Sequence, residues 1–278
     1  MNTNKISCDL CPRFCKISPG DLGFCGARTN DRGRIKSLAY GKLVALDLDP
    51  IEKKPLAFFH QASMILSAGS FGCNMDCPFC QNYKLARAKK SDLKTYDYSP
   101  RKLADLALDL KGQGNIGLAF TYNEPSINFE YVRDTFKILK EYGMETVLVT
   151  NGQINDKYVE ELLPLTSAWN IDLKSFSKEN YKKLGGDLDA SLNTIRKASK
   201  TSHVEVTTLV VPGISDNLED FKNEVDFLSD LNPEIPLHLS RYFPSYKYWE
   251  EPTSIDLLNK MKKIGDEKLS HVLLGNVW

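Results

Sequence analysis

No apolar run in this 278-residue chain approaches the roughly 20 residues that a membrane-spanning helix needs. The amino terminus, MNTNKISCDL, has no apolar core and is not a secretion signal. Net charge is missing too. The 36 basic and 36 acidic side chains balance, which leaves no surplus of Lys and Arg for a phosphate backbone or an anionic bilayer. Neither a nucleic-acid partner nor a membrane partner is expected. There is no low-complexity segment, long linker or internal repeat. What remains, with 42% hydrophobic and 26% charged residues, is a folded globular chain long enough for one large domain and a small appendage. The expected location is cytoplasmic. In that reducing compartment cysteines read as metal ligands or catalytic thiols, not as disulfides.

Seven cysteines are present, in two groups: Cys8, Cys11, Cys15 and Cys25, then Cys73, Cys77 and Cys80. Between and beyond them the chain has a regular rhythm. Apolar runs suited to buried strands occur at 64–71, 116–122, 146–150, 169–173, 204–211 and 237–242, with a shorter one at 271–274. Stretches with helical spacing separate them, such as Phe129, Val132, Phe136 and Leu139, or Leu103, Leu106, Leu108 and Leu110. Alternation of this kind predicts an α/β fold of βαβ units around a parallel sheet, open or barrel-like. Residues 1–62 are expected to form a Cys-rich metal-binding segment with a short hairpin turning at Tyr40-Gly41-Lys42, and residues 63–278 the repeating domain. The match of Gly112–Gly117 to G-x-G-x-x-G follows a helix and leads into a strand, the reverse of a dinucleotide site, so it reads as a helix stop.

The second cysteine group directly follows the first strand of the repeat. Three thiolates spaced x3 and x2 in one loop suit a 4Fe–4S cluster with one iron left open. A zinc site borrowing a distant fourth ligand, or cysteines packed as small hydrophobes, are the alternatives. The first group supplies four thiolates within 18 residues, enough to close either a zinc site or a second 4Fe–4S cluster. Zinc sites more often pair two C-x2-C knuckles, and only Cys8–Cys11 has that shape, which favours the cluster.

The loop Cys73-x3-Cys77-x-Phe79-Cys80 resembles the signature of the radical S-adenosylmethionine (SAM) superfamily. The resemblance continues at successive strand ends. Tyr122-Asn123-Glu124-Pro125 stands where that superfamily has a G-G-E motif. Thr150-Asn151-Gly152, Asp172-Leu173-Lys174 and Val210–Asp216 are similar to segments of glycyl-radical-enzyme activases, such as the activases of pyruvate formate-lyase. A fuller match is to the radical SAM proteins of the AmmeMemoRadiSam system. It rests on Cys8–Cys15, Asp49–Pro55, Gly72–Asn82, Tyr122–Pro125 and Arg241–Pro244. Members of that group commonly continue past the G-N-V segment, whereas this chain stops at Trp278, which implies a shortened relative.

The resemblance implies a partial (β/α)6 TIM-type barrel with a small Cys-rich amino-terminal extension. It implies a catalytic 4Fe–4S cluster on Cys73, Cys77 and Cys80, and SAM held by Phe79, Tyr122, Asn123, Glu124, Asn151, Asp172 and Lys174. Arg241, on the sixth strand, joins that set in preference to His238, which alternation places on the opposite face. The implied reaction is reductive cleavage of SAM to a 5′-deoxyadenosyl radical that takes hydrogen from a small-molecule or peptide substrate. An electron donor such as flavodoxin or ferredoxin would supply the reducing equivalent. Activation of a glycyl-radical enzyme is the second reading. A non-catalytic zinc-binding scaffold using both cysteine groups is the alternative of another class.

Overall fold

The computed structural model describes residues 5–88 and 93–277. Its strands are β1 (Ile6–Ser7), β2 (Lys16–Ile17), β3 (Arg28–Asp31), β4 (Arg34–Ser37), β5 (Lys42–Leu43), β6 (Ala45–Pro50), β7 (Met64–Gly69), β8 (Tyr96–Asp97), β9 (Asn115–Phe120), β10 (Glu145–Thr150), β11 (Ala168–Asp172), β12 (His203–Val210), β13 (Leu237–Arg241) and β14 (Val272–Gly275). The helices are α1 (Tyr83–Ala86), α2 (Pro100–Asp109), α3 (Phe129–Glu141), α4 (Asp156–Leu162), α5 (Lys178–Lys183), α6 (Leu188–Ala198), α7 (Leu218–Leu231) and α8 (Ile255–Asp266).

Eight strands form one sheet in the order β14-β13-β12-β11-β10-β9-β7-β6. Every neighbouring pair is parallel except β6 and β7, which run antiparallel from Ala45↔Gly69 to Pro50↔Met64. β6 and β14 are the two ends of the ladder, so the curved wall is a partial barrel with one open side. The six expected strands and the short seventh are all present. β6, which the sequence reading placed in the amino-terminal segment, is the edge strand of this sheet.

Local chemistry sets the helix boundaries. The Ser99 hydroxyl accepts from the Lys102 amide (3.2 Å) and Pro100 occupies the first helical position of α2. Gly114, at a φ of 85°, ends the short 3-10 turn Leu110–Gln113, so the G-x-G-x-x-G stretch is the expected helix stop. α3 buries Phe129, Val132, Phe136 and Leu139, the face read from spacing. In α2 the buried face is Leu103, Ala104 and Ala107, and Leu108 is exposed.

The hairpin lies elsewhere than expected. β3 and β4 form it, turning at Arg32-Gly33, where both φ values are positive (52° and 84°) as a two-residue hairpin loop requires. Lys42–Leu43 pairs instead with Tyr96–Asp97. The chain after β6 closes the floor of the barrel. Ile51 and Leu56 are fully buried against Ile65, Ala119, Val147 and Ala168, the inward residues of four strands. The Glu205 carboxylate accepts from the amides of Ala57 (2.9 Å) and Phe58 (2.8 Å) and meets Nε2 of His203 (2.8 Å) and His238 (2.6 Å). Burial opposes its charge, but these partners outweigh burial and hold its pKa at about 2.

Candidate active site

A cavity of about 270 Å³ opens at the carboxyl ends of the strands. It is built one strand end at a time. The loop after β7 brings Cys73, Cys77, Phe79 and Cys80. The turn after β9 brings Tyr122, Asn123 and Glu124, Asn151 directly follows β10, Asp172 ends β11 and Lys174 lies two residues beyond it. Ten of the eleven residues expected at the catalytic and cofactor site therefore share one cavity. Thr121, Thr150, Thr207, Ser240 and Asn276 line it too, and these the sequence reading missed. Alternation counted from an inward residue finds three of them, Thr121 from Ala119, Thr207 from Glu205 and Ser240 from His238, whereas Thr150 and Asn276 carry no such signal.

Arg241 is the exception. The inward positions of β13 are His238 and Ser240, so alternation turns Arg241 outward. Its guanidinium donates to the Thr253 carbonyl (2.8 Å) and covers the Phe243 ring. His238 faces inward but at the floor, on Glu205, and the preference for Arg241 is reversed in favour of Ser240.

The three thiols differ sharply from free surface cysteines. Burial raises all three pKa values, that of Cys77 to about 12. Lys174 lies 2.9 Å from Asp172. Burial acts against its charge, but Asp172 and the neighbouring Cys77 raise its pKa further. Among the cavity-lining residues there is no fourth thiol and no imidazole. This donor set, three sulfurs beside amide, carboxylate and ammonium groups, fits a 4Fe–4S cluster with one iron ligated from outside the protein. No three of the described His, Cys, Asp and Glu side chains converge as the ligands of a single ion.

Glu124 is buried and accepts three hydrogen bonds: Ser126 N (2.9 Å) and Thr150 Oγ1 (2.6 Å) on one oxygen, Asn151 N (2.8 Å) on the other. It caps the 3-10 turn Pro125–Asn128 and fastens the end of β9 to the end of β10. Asn151 in turn donates through Nδ2 to Asn74 Oδ1 (2.9 Å) and lies 3.7 Å from Cys73 Sγ. Tyr122 has a φ of 72°, so this non-glycine residue keeps the left-handed backbone a glycine would take there. Its ring fits because residue 69 is glycine: a Cβ at Gly69 would come within 2.7 Å of Tyr122 Cδ2. The phenol donates to Asp49 (2.9 Å), which also holds the buried Lys54 ammonium (2.8 Å). This gives Asp49–Pro55 a place beneath the cavity. Asn123 is tied down as well, accepting from Ser70 N (2.9 Å) and donating to Gly72 O (3.1 Å).

The other four cysteines lie beside this loop. Cys8, Cys11, Cys15 and Cys25 line one small cavity with Arg13, Arg28 and Asn74. The two cysteine groups touch. A Cβ at Gly72, whose φ is 90°, would stand 2.4 Å from the Cys25 carbonyl oxygen, so only glycine permits the approach. Arg13 Nε donates to Asn74 O (2.6 Å), Arg87 donates to Cys73 O, and both guanidiniums cover the Phe24 ring.

Residues 69–228 match the family model described as the radical SAM superfamily. An uncharacterised protein of Methanocaldococcus jannaschii is 36% identical, over 100% of this chain and 83% of its own length. The pyruvate formate-lyase 1-activating enzyme of Escherichia coli is 26% identical over 73% of this chain and 85% of its own length. Among solved structures, SuiB of Streptococcus suis bound to its precursor peptide SuiA superposes on 74% of this chain and 47% of its own (TM-score 0.59, identity 15%), a likeness of fold.

Proposed function

This chain belongs to the radical SAM superfamily, and on that premise we propose that it cleaves SAM at a cluster held by Cys73, Cys77 and Cys80 to abstract hydrogen from a small-molecule or peptide substrate. Membership in this enzyme family replaces the zinc-scaffold alternative. The observation that carries the reading is the convergence of those three thiols with Glu124, Asn151, Asp172 and Lys174 from successive strand ends on one cavity. When bound, the reduced cluster supplies the electron that splits the S–C5′ bond of SAM.

The chain's own residues bind and orient. The three thiols must lose their protons to ligate iron, so their raised pKa values make loading release protons. Asp172 and Lys174 offer an acceptor and a donor to the hydroxyls and carboxylate of SAM, and Asn151 offers an amide. Glu124 orients the Asn151 backbone and presents negative charge toward the SAM ammonium. Phe79, which is buried, packs against the adenine, and Tyr122 and Asn123 form the adjoining wall. Activation of a glycyl-radical enzyme stays as the second reading, favoured by the similarity to the pyruvate formate-lyase activating enzyme. We assign the electron supply to a flavodoxin- or ferredoxin-type carrier. The grouping with the AmmeMemoRadiSam proteins rests on the motifs quoted above. Among the described residues no helix is long and apolar enough to cross a membrane.

The test is anaerobic reduction with dithionite in the presence of SAM. Formation of 5′-deoxyadenosine and methionine is expected, and Cys73→Ala, Cys77→Ala or Cys80→Ala should each abolish it. A native protein that holds iron but forms no 5′-deoxyadenosine would overturn the proposal.

A further inference from the structure

The pocket of Cys8, Cys11, Cys15 and Cys25 holds a feature that a four-thiol staple does not need. Arg28 lines it and is 5% exposed. Both terminal nitrogens of its guanidinium are engaged: NH1 and NH2 bind Glu130 at 2.8 and 2.7 Å, and NH1 also reaches Ile127 O. The third nitrogen, Nε, is buried with no hydrogen-bond partner. Leaving such a donor unpaired costs about 1–3 kcal/mol. Buried polar groups are rarely left this way, so an orphaned donor in a cysteine-lined cavity indicates an acceptor that occupies the cavity.

From this we infer that the pocket is a second iron–sulfur centre, and that Arg28 Nε–H donates to one of its sulfurs and sets its reduction potential. The inference rests on the radical SAM reading for its setting but concerns only the amino-terminal site. Two properties favour a cluster over a zinc ion. A cluster brings inorganic sulfides as well as thiolates, so sulfur acceptors outnumber the four cysteines. The guanidinium charge and the Nε–H donor are also among the levers that tune a cluster's potential, whereas zinc has no redox chemistry to tune. The position suits a redox partner of the first site. Asn74, which follows Cys73, lines the four-thiol pocket, and the Cys25 carbonyl is packed on Gly72. Arg28 is a positioning and tuning residue here; it touches no substrate.

The test uses the whole protein, isolated anaerobically and reconstituted with iron and sulfide. About eight irons per chain and no zinc are expected. Electron paramagnetic resonance of the reduced protein should show two centres whose signals broaden each other. The decisive variant pair is Arg28→Lys and Glu130→Gln. Lysine keeps a positive charge and one bond to Glu130 but removes the Nε donor. Glutamine at 130 weakens the ion pair and leaves Nε in place. Arg28→Lys should make the second centre about tenfold harder to reduce, about 59 mV for one electron, while Glu130→Gln, which keeps the Nε donor and unmasks the guanidinium charge, should not lower its potential. Zinc in place of iron, or an unchanged potential in Arg28→Lys, would overturn the inference. If Arg28→Lys fails to fold, the iron count and the spectrum of the native protein still decide. A native protein with two paramagnetic centres but no dithionite-driven 5′-deoxyadenosine would instead refute the proposed function and leave this inference standing.

Discussion

Replacing Glu124 by glutamine separates two roles that the residue combines. The carboxylate accepts from three donors, two on one oxygen and one on the other. A glutamine retains one acceptor oxygen. Its best orientation keeps the bonds from Ser126 and Thr150 and turns the amide NH2 toward the Asn151 N–H, donor against donor. One charge-assisted bond is lost, worth about 1.5–3 kcal/mol, and a buried amide is left unpaired. Glu124→Gln should therefore lower the unfolding free energy of the metal-free chain by about 3 kcal/mol, read from the denaturant midpoint at constant m. The displaced Asn151 should also weaken SAM binding to the reconstituted protein by at least tenfold, measured calorimetrically under anaerobic conditions. If Glu124 serves only to receive the SAM ammonium, the variant will bind SAM poorly yet unfold at the native midpoint. A midpoint within about 0.5 kcal/mol of the native value would refute the fastening role argued here.

Three further outcomes follow from buried groups elsewhere. Glu205 has a folded pKa of about 2 against an ordinary 4.5, so its contribution is fully present above pH 4.5 and fades as the pH falls toward 2. Glu205→Gln should cost about 3 kcal/mol at pH 7, and the gap should narrow in acid denaturation series. Glu224 has the opposite sign. Burial raises its pKa to about 7, only partly offset by the Thr208 hydroxyl, so the native chain should lose stability as the pH rises from 4.5 through 7. Glu224→Gln should remove that slope and be the more stable protein at pH 8, which pH-resolved thermal denaturation checks. Gly72→Ala sets a Cβ against the Cys25 carbonyl at a left-handed φ, and should loosen residues 5–40 enough for limited proteolysis to cut there first.

Much of the frame was readable because it is written locally. The parallel strands are apolar runs, and the two cysteine groups stand out by their spacing alone. The elements that were misread depend on partners far along the chain. Lys42–Leu43 was assigned to a hairpin because its natural partner, Tyr96–Asp97, is more than fifty positions away. Arg241 is preferred to His238 because the two are counted as competitors for one inward position, whereas His238 is the register mark that points to Ser240. The fastening work of Glu124 was invisible too, since two of its three donors come from a different strand. The floor loop 51–62 has no periodicity to betray it, and its place is set by a carboxylate 148 positions later.

That separation has a consequence for how the chain comes into being. The Asp9 and Leu10 carbonyls wait for Asn155, some 146 positions on, and Ala57 waits for Glu205. As the polypeptide leaves the ribosome, the whole front quarter emerges before the groups that dock it have been synthesised. Its docking contacts are non-local, so it docks late and slowly. All seven thiols are made well before Glu205, and they remain accessible during that interval. Any group that the proposed thiol sites take up thus has a window of delivery that closes as the front segment docks.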